Sequence, residues 1–239
     1  MKYTMADIKA SLSHEKKMED SQFAIYVHRP LSYPLTYLFV NWGVSAWTVS
    51  ILSAVVAFVG CMLICSPTSW VRWIGIALIN LWAILDCVDG NVARVTKTQS
   101  NKGAFMDAES GYMICAFVYL SFGMAAYHTA GTAFIADKSL FIFIGALASI
   151  SDLLARLIHQ KYVSTVENKE SEETGGKKSA LGKLRKRVST ELGIAGFVLV
   201  GGIIAQMFNL YGYLVIFYGA FCFLTLLLTV ALYSKKARR

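Results

Sequence analysis

The sequence predicts an all-α, polytopic membrane protein: six transmembrane helices preceded by an N-terminal amphipathic helix lying in the interface. Three observations carry that expectation. Of 239 residues, 56% are hydrophobic and only 16% charged, and mean hydropathy is +0.51, a balance suited to a bilayer solvent rather than to water. Apolar runs of about twenty residues, long enough to cross a hydrocarbon core, recur along the chain. The lysines and arginines concentrate in alternate connections between those runs.

Residues 1–43 form the N-terminal segment. Within it, 23–42 mixes aromatic and aliphatic residues with His28, Arg29, Pro30 and Pro34, the composition of a helix lying on a membrane surface; a tail leading into the first span is the alternative. The spans are expected at 44–65, 70–93, 103–128, 139–159, 191–208 and 211–233, the fifth being short and rich in glycine. They make residues 44–233 one six-helix domain, followed by a basic tail at 234–239. Between spans four and five lies the loop 161–190, whose part 167–178 is polar and carries no readable chemistry.

Charge sets the orientation. Segment 1–43 holds five Lys or Arg, 94–102 three, 161–190 eight and 235–239 four, whereas the alternate connections hold only Arg72 and Lys138. The positive-inside rule puts both termini and the loops 94–102 and 161–190 in the cytoplasm, and an even number of spans agrees. A bacterial-type inner membrane is the expected setting. The net charge of +8 then follows from topology, so the basic stretch 177–187 needs anionic lipid headgroups and no nucleic acid. Cys61, Cys65, Cys87, Cys115 and Cys222 lie in or beside apolar runs without a CxxC pair, as buried free thiols do. A transporter would show two halves with broken helices, and no such halves are visible.

The chemistry concentrates where spans two and three meet the cytoplasm. At 100° per residue, Asp86, Asp89, Gly90 and Ala93 form one helix stripe, and Gly103, Asp107 and Gly111 a second. Each stripe sets carboxylates beside residues with almost no side chain, so a bulky ligand can approach the backbone. Carboxylates within a span cost a few kcal/mol each, and two of them about 6 Å apart repel by roughly 3 kcal/mol at an effective dielectric near 20. A shared proton, an arginine such as Arg94, or a divalent cation must offset this. Oxygen-only ligands suit Mg²⁺, Mn²⁺ or Ca²⁺. An Asp86/Asp89–Arg94 ion-pair network that only fixes helix packing is the alternative.

The string Asp86-x2-Asp89-Gly90-x2-Ala93-Arg94-x8-Gly103-x3-Asp107 resembles the signature of the CDP-alcohol phosphotransferase family. Residue and spacing match at seven of eight fixed positions. Gly43-Val44-Ser45-Ala46-Trp47-Thr48 is similar to the stretch that opens span one in that family, without its Pro-Asn. Ser151-Asp152-Leu153-Leu154-Ala155-Arg156 is similar to a stretch on span four of phosphatidyl-transferring members. The resemblance implies a metal-dependent enzyme, using Mg²⁺ or Mn²⁺. It would transfer a phosphate-linked group from a CDP-activated donor to an alcohol acceptor and release CMP. CDP-diacylglycerol is the favoured donor and a small CDP-alcohol the other. It also implies Asp86, Asp89 and Asp107 as metal ligands, and Gly90, Ala93 and Gly103 as openings for the nucleotide. Arg94 would brace the aspartates or contact phosphate. Thr48 would edge the nucleotide pocket, Arg156 would bind substrate, and the protein would be a homodimer.

One departure matters. Gly111 stands where the family has its fourth aspartate, assigned there to metal coordination and to deprotonating the attacking hydroxyl. Asp152 is the candidate substitute base. Glu109 is a second, though two positions along a helix point it about 200° away. A relative that binds CDP-lipid or metal without turnover is the alternative function.

Overall fold

The computed structural model describes residues 3–13, 16, 20–130, 137–167, 187–188 and 190–237. The polar loop beyond Glu167, the basic stretch 177–187 apart from Arg187, and the last two residues of the tail lie outside the described residues. Every regular element among the described residues is helical: α1 Met5–Ala10, α2 Arg29–Asn41, α3 Ala46–Ile64, α4 Ser69–Thr96, α5 Asn101–Thr129, α6 Ser139–Tyr162, α7 Leu199–Phe208 and α8 Tyr211–Ala237. One-turn π-helices precede α2 (Ala24–His28), follow α6 (Val163–Glu167) and precede α7 (Ile194–Val198).

Local chemistry sets these limits. Thr4 and Asp7 close a capping box at the start of α1. Pro30 sits in the first turn of α2, where its missing N–H costs nothing. That helix ends at Gly43, whose φ of 74° suits glycine. There the Val44 N–H reaches back to the Phe39 carbonyl at 2.9 Å. The Ser45 hydroxyl then accepts from the Thr48 N–H at 3.1 Å and caps α3.

Among the described residues, five helices are long and apolar enough to cross a membrane: Ala46–Ile64, Ser69–Thr96, Asn101–Thr129, Ser139–Thr165 and Tyr211–Lys236. The run expected at 191–208 is a shorter apolar helix, Gly196–Phe208. The break is at Gly196, non-helical at φ −110° and ψ −117°, where any Cβ would collide with the Glu191 carbonyl. Large apolar side chains, among them Val55, Phe143, Leu224 and Leu228, stay exposed on the spans, as lipid contact requires.

The chain divides into two compact units, Met1–Ile114 with Lys186–Ile203, and Cys115–Arg185 with Ile204–Arg239. In the first, α3 and α2 both pack along α4. Val40, Val49, Leu85, Val88 and Val92 form the core they share. The α3–α4 crossing is made by Gly60 and Gly75: a Cβ on Gly75 would stand 2.7 Å from the Gly60 carbonyl oxygen, so the backbones touch. In the second unit α6 packs along α8, and the Tyr119 and Tyr218 rings meet at 5.1 Å.

Candidate active site

The eight-residue spacer of the motif is a helix end, a turn and a helix start. α4 runs on to Thr96, and Lys97 adopts the left-handed conformation at φ 57°. The Thr98 N–H closes on the Ala93 carbonyl at 3.0 Å. Ser100 then opens α5, its hydroxyl accepting from the Gly103 N–H at 3.2 Å. Asp86 and Asp89 therefore leave the end of one long helix and Asp107 the start of the next.

The three carboxylates are neighbours. Asp86 and Asp107 lie within hydrogen-bonding reach of each other, and Asp89 is close enough to both to feel their charge. Asp89 is buried, Asp86 half-buried and Asp107 exposed. The Ser50 hydroxyl, from α3, donates to Asp89 Oδ2 at 2.6 Å, a short charge-assisted bond that fixes this carboxylate. One node further into the unit, the Trp82 indole N–H donates to Ser110 Oγ at 3.0 Å and Ser110 meets Ser53 at 2.8 Å. That node ties α3, α4 and α5 together beside Asp107.

The all-oxygen donor set suits a hard divalent cation, and the contact between Asp86 and Asp107 needs a proton or a cation to offset like charge. The donors fit such an ion chemically. Among the described residues no group of three or more His, Cys, Asp or Glu side chains already converges as a metal cage; Asp89 is turned to Ser50.

Arg94 bonds neither aspartate. Its Nη2 donates to Asn91 Oδ1 at 2.7 Å, and the Nη1/Nη2 edge of its guanidinium faces Gly90, where a Cβ would stand 3.1 Å from Nη1 and 3.2 Å from Nη2. The opening at Gly90 is thus filled by Arg94, while a Cβ at Gly103 would meet only Ser100 Oγ at 3.5 Å. Asn91, fully buried, also meets Arg29 Nη1 at 3.5 Å and donates to Ser32 at 3.1 Å and Thr36 at 3.2 Å. Arg29 pairs with Asp20 at 2.8 Å; it and Lys16 are cations whose charge reaches Asp86. His28, beside Arg29, is buried. Burial, then the Arg29 charge, lowers its pKa to about 4.

Sequence reasoning missed Ser50, Asn91, Arg29 and Lys16. The one available signal was Asn91 itself, a lone amide at an unspecified motif position among buried apolar residues, which must find partners.

The remaining candidates scatter. Thr48 is exposed and joins Ser45, Oγ to Oγ1 at 2.9 Å, in the α3 cap. Ala93 is half-buried on the motif face. Gly111 is half-buried, and a Cβ there would meet nothing within 4 Å. Glu109 is exposed. In the second unit, Arg156 Nε donates to Asp152 Oδ2 at 3.1 Å, leaving the Asp152 side chain 17% exposed. Cys115 lies within hydrogen-bonding reach of that carboxylate.

No curated protein matches the chain. The CDP-alcohol phosphatidyltransferase family model matches residues 45–233, which takes in α3, both halves of the aspartate motif and every helix after it. With the carboxylates of that motif gathered at the junction of α4 and α5, the chain belongs to the CDP-alcohol phosphatidyltransferase family.

Proposed function

We propose that the protein is an active transferase. It moves a phosphate-linked group, with CDP-diacylglycerol as the favoured donor, onto an alcohol and releases CMP at the cytoplasmic membrane face. The family transfers from CDP-alcohols and is generally dependent on a divalent metal. The observation that carries the reading is the gathering of Asp86, Asp89 and Asp107 at one helix junction. Three carboxylates in membrane spans are costly enough to need a purpose.

In this reading Asp86, Asp89 and Asp107 hold Mg²⁺ or Mn²⁺, which neutralises charge on the pyrophosphate of the donor. Ser50 keeps the Asp89 carboxylate oriented. Gly103 leaves room for the nucleotide, with Ala93 on the same face and Thr48 at its edge, and Arg94 offers guanidinium N–H groups to phosphate. Transfer forms a bond from the acceptor oxygen to the phosphorus bearing the lipid and breaks the bond to CMP, which leaves with the electron pair. The hydroxyl proton passes to a base, for which Asp152 is our assignment and Glu109 the second choice; Arg156 binds substrate. The apolar helix Gly196–Phe208 completes six spans, 23–42 lies in the interface, both termini face the cytoplasm of a bacterial-type inner membrane, and the protein is a homodimer.

Gly111 favours a second reading, a relative that binds CDP-lipid or metal without turnover. The test is CMP release by purified protein from a panel of CDP donors with Mn²⁺ or Mg²⁺ and candidate alcohols. Release from CDP-diacylglycerol supports the proposal; binding of donor with no release from any of them supports the second reading.

A further inference from the structure

We propose that Asn91 is a positioning residue for this reaction, holding the Arg94 guanidinium in place through a bracket anchored on the N-terminal helix. The inference rests on the transferase reading above. Asn91 occupies an unspecified position of the motif, yet its amide is fully used. Oδ1 accepts from Arg94 Nη2 at 2.7 Å and Arg29 Nη1 at 3.5 Å, and Nδ2 donates to Ser32 Oγ at 3.1 Å and Thr36 Oγ1 at 3.2 Å. That meets the two donors and two acceptor sites of a primary amide.

The orientation of the amide is determined by its partners. Guanidinium groups only donate, so the oxygen must face Arg29 and Arg94. Ser32 and Thr36 already give their hydroxyl protons to the carbonyls of Arg29 and Ser32, both at 2.8 Å, so they can only accept from Nδ2. A flipped amide would face donors with donors on one side and acceptors with acceptors on the other.

Arg94 needs such a hold. Its side chain is long, its Nε has no partner, and the Nη2 bond to Asn91 is the single side-chain hydrogen bond it makes among the described residues. Gly90 supplies the floor, since any side chain there would press on the guanidinium. Asn91 supplies the wall. Ser32 and Thr36 lie on α2, before the stretch 45–233 that matches the family model, so a helix outside that stretch sets where a motif arginine stands. A displaced arginine loses rate steeply, because about 1 Å of misplacement can cost on the order of a hundredfold.

A double-mutant cycle on CMP release tests this. Asn91→Ala lowers kcat/KM about tenfold where Arg94 is present and less than about twofold in the Arg94→Ala background, because its effect passes through that arginine. Because Asn91→Ala also strips a buried site of its bonds, Thr36→Val is measured beside it. It removes one acceptor and gives a smaller loss that likewise vanishes with Arg94→Ala. Equal losses in both backgrounds for both variants overturn the proposal and make Asn91 a packing residue. Wild-type protein that releases no CMP refutes the transferase reading separately. The same cycle is then read on CDP affinity, where coupling upholds the bracket, and additive losses or no CDP binding overturn it.

Discussion

Gly111→Asp restores a carboxylate at the one motif position where this chain departs from its family, and its consequences can be worked from the structure. A Cβ at Gly111 meets nothing within 4 Å, so the side chain enters without steric cost, and replacing a mid-helix glycine gains a few tenths of a kcal/mol in propensity. Against that, residue 111 faces Asp107 one turn away, about 6 Å on a helix surface, and the repulsion is roughly 3 kcal/mol at an effective dielectric near 20. The metal-free variant should therefore be about 2–3 kcal/mol less stable than wild type. A divalent cation at a hundredfold excess over its Kd returns about 2.7 kcal/mol, so the melting temperature of the variant in detergent should respond more to Mn²⁺ than that of wild type. If Asp152 already serves as base, CMP release should change by less than about tenfold, well short of the 10²–10⁴ that a newly supplied base contributes. A metal-free melting point equal to wild type would refute the electrostatic argument. Release of CMP by the variant alone would refute the assignment of an active wild-type enzyme.

Gly75→Ala should lower stability by about 1–3 kcal/mol in thermal melts, because its Cβ would stand 2.7 Å from the Gly60 carbonyl; an unchanged melting point would dismiss the close α3–α4 crossing. For His28, the unfolded chain takes up a proton as pH falls below about 6.5, whereas the buried ring does so only near 4. Its contribution is present above pH 6.5 and lost as pH falls to 4. Wild type should lose about 3 kcal/mol more than His28→Leu over that window, and parallel curves would show that the ring is not buried neutral. Cysteines introduced at Thr98 and Thr68 should label from opposite sides of intact cells, the first from the cytoplasm; labelling from one side would overturn the proposed orientation.

What the sequence made legible follows from what the bilayer demands. A span must hide about twenty residues of backbone in hydrocarbon, so five apolar runs read directly as helices, with ends within a few residues of Ala46–Ile64, Ser69–Thr96, Asn101–Thr129, Ser139–Tyr162 and Tyr211–Ala237. The 191–208 run read the same way, because composition says nothing of the non-helical backbone that Gly196 takes against Glu191. The motif spacing was visible, but its meaning was not: the eight-residue interval is an αL turn at Lys97, closed by backbone bonds, and a cap made by the Ser100 hydroxyl. Ser50 and Asn91 stayed hidden for a different reason. Their partners Asp89, Ser32 and Thr36 lie between 39 and 59 residues away in sequence, and no periodicity reports on a hydrogen bond between helices.

The central claim is that the three aspartates hold a cation that the reaction uses. Asp86→Asn keeps the shape of the side chain and removes its charge. Measured side by side with wild type in titrations of Mn²⁺ and Mg²⁺, it should stay folded, lose metal-dependent CMP release by at least a factor of about a hundred, and lose the metal-induced rise in melting temperature. Full metal-dependent turnover by Asp86→Asn would contradict the account and leave these carboxylates as elements of helix packing.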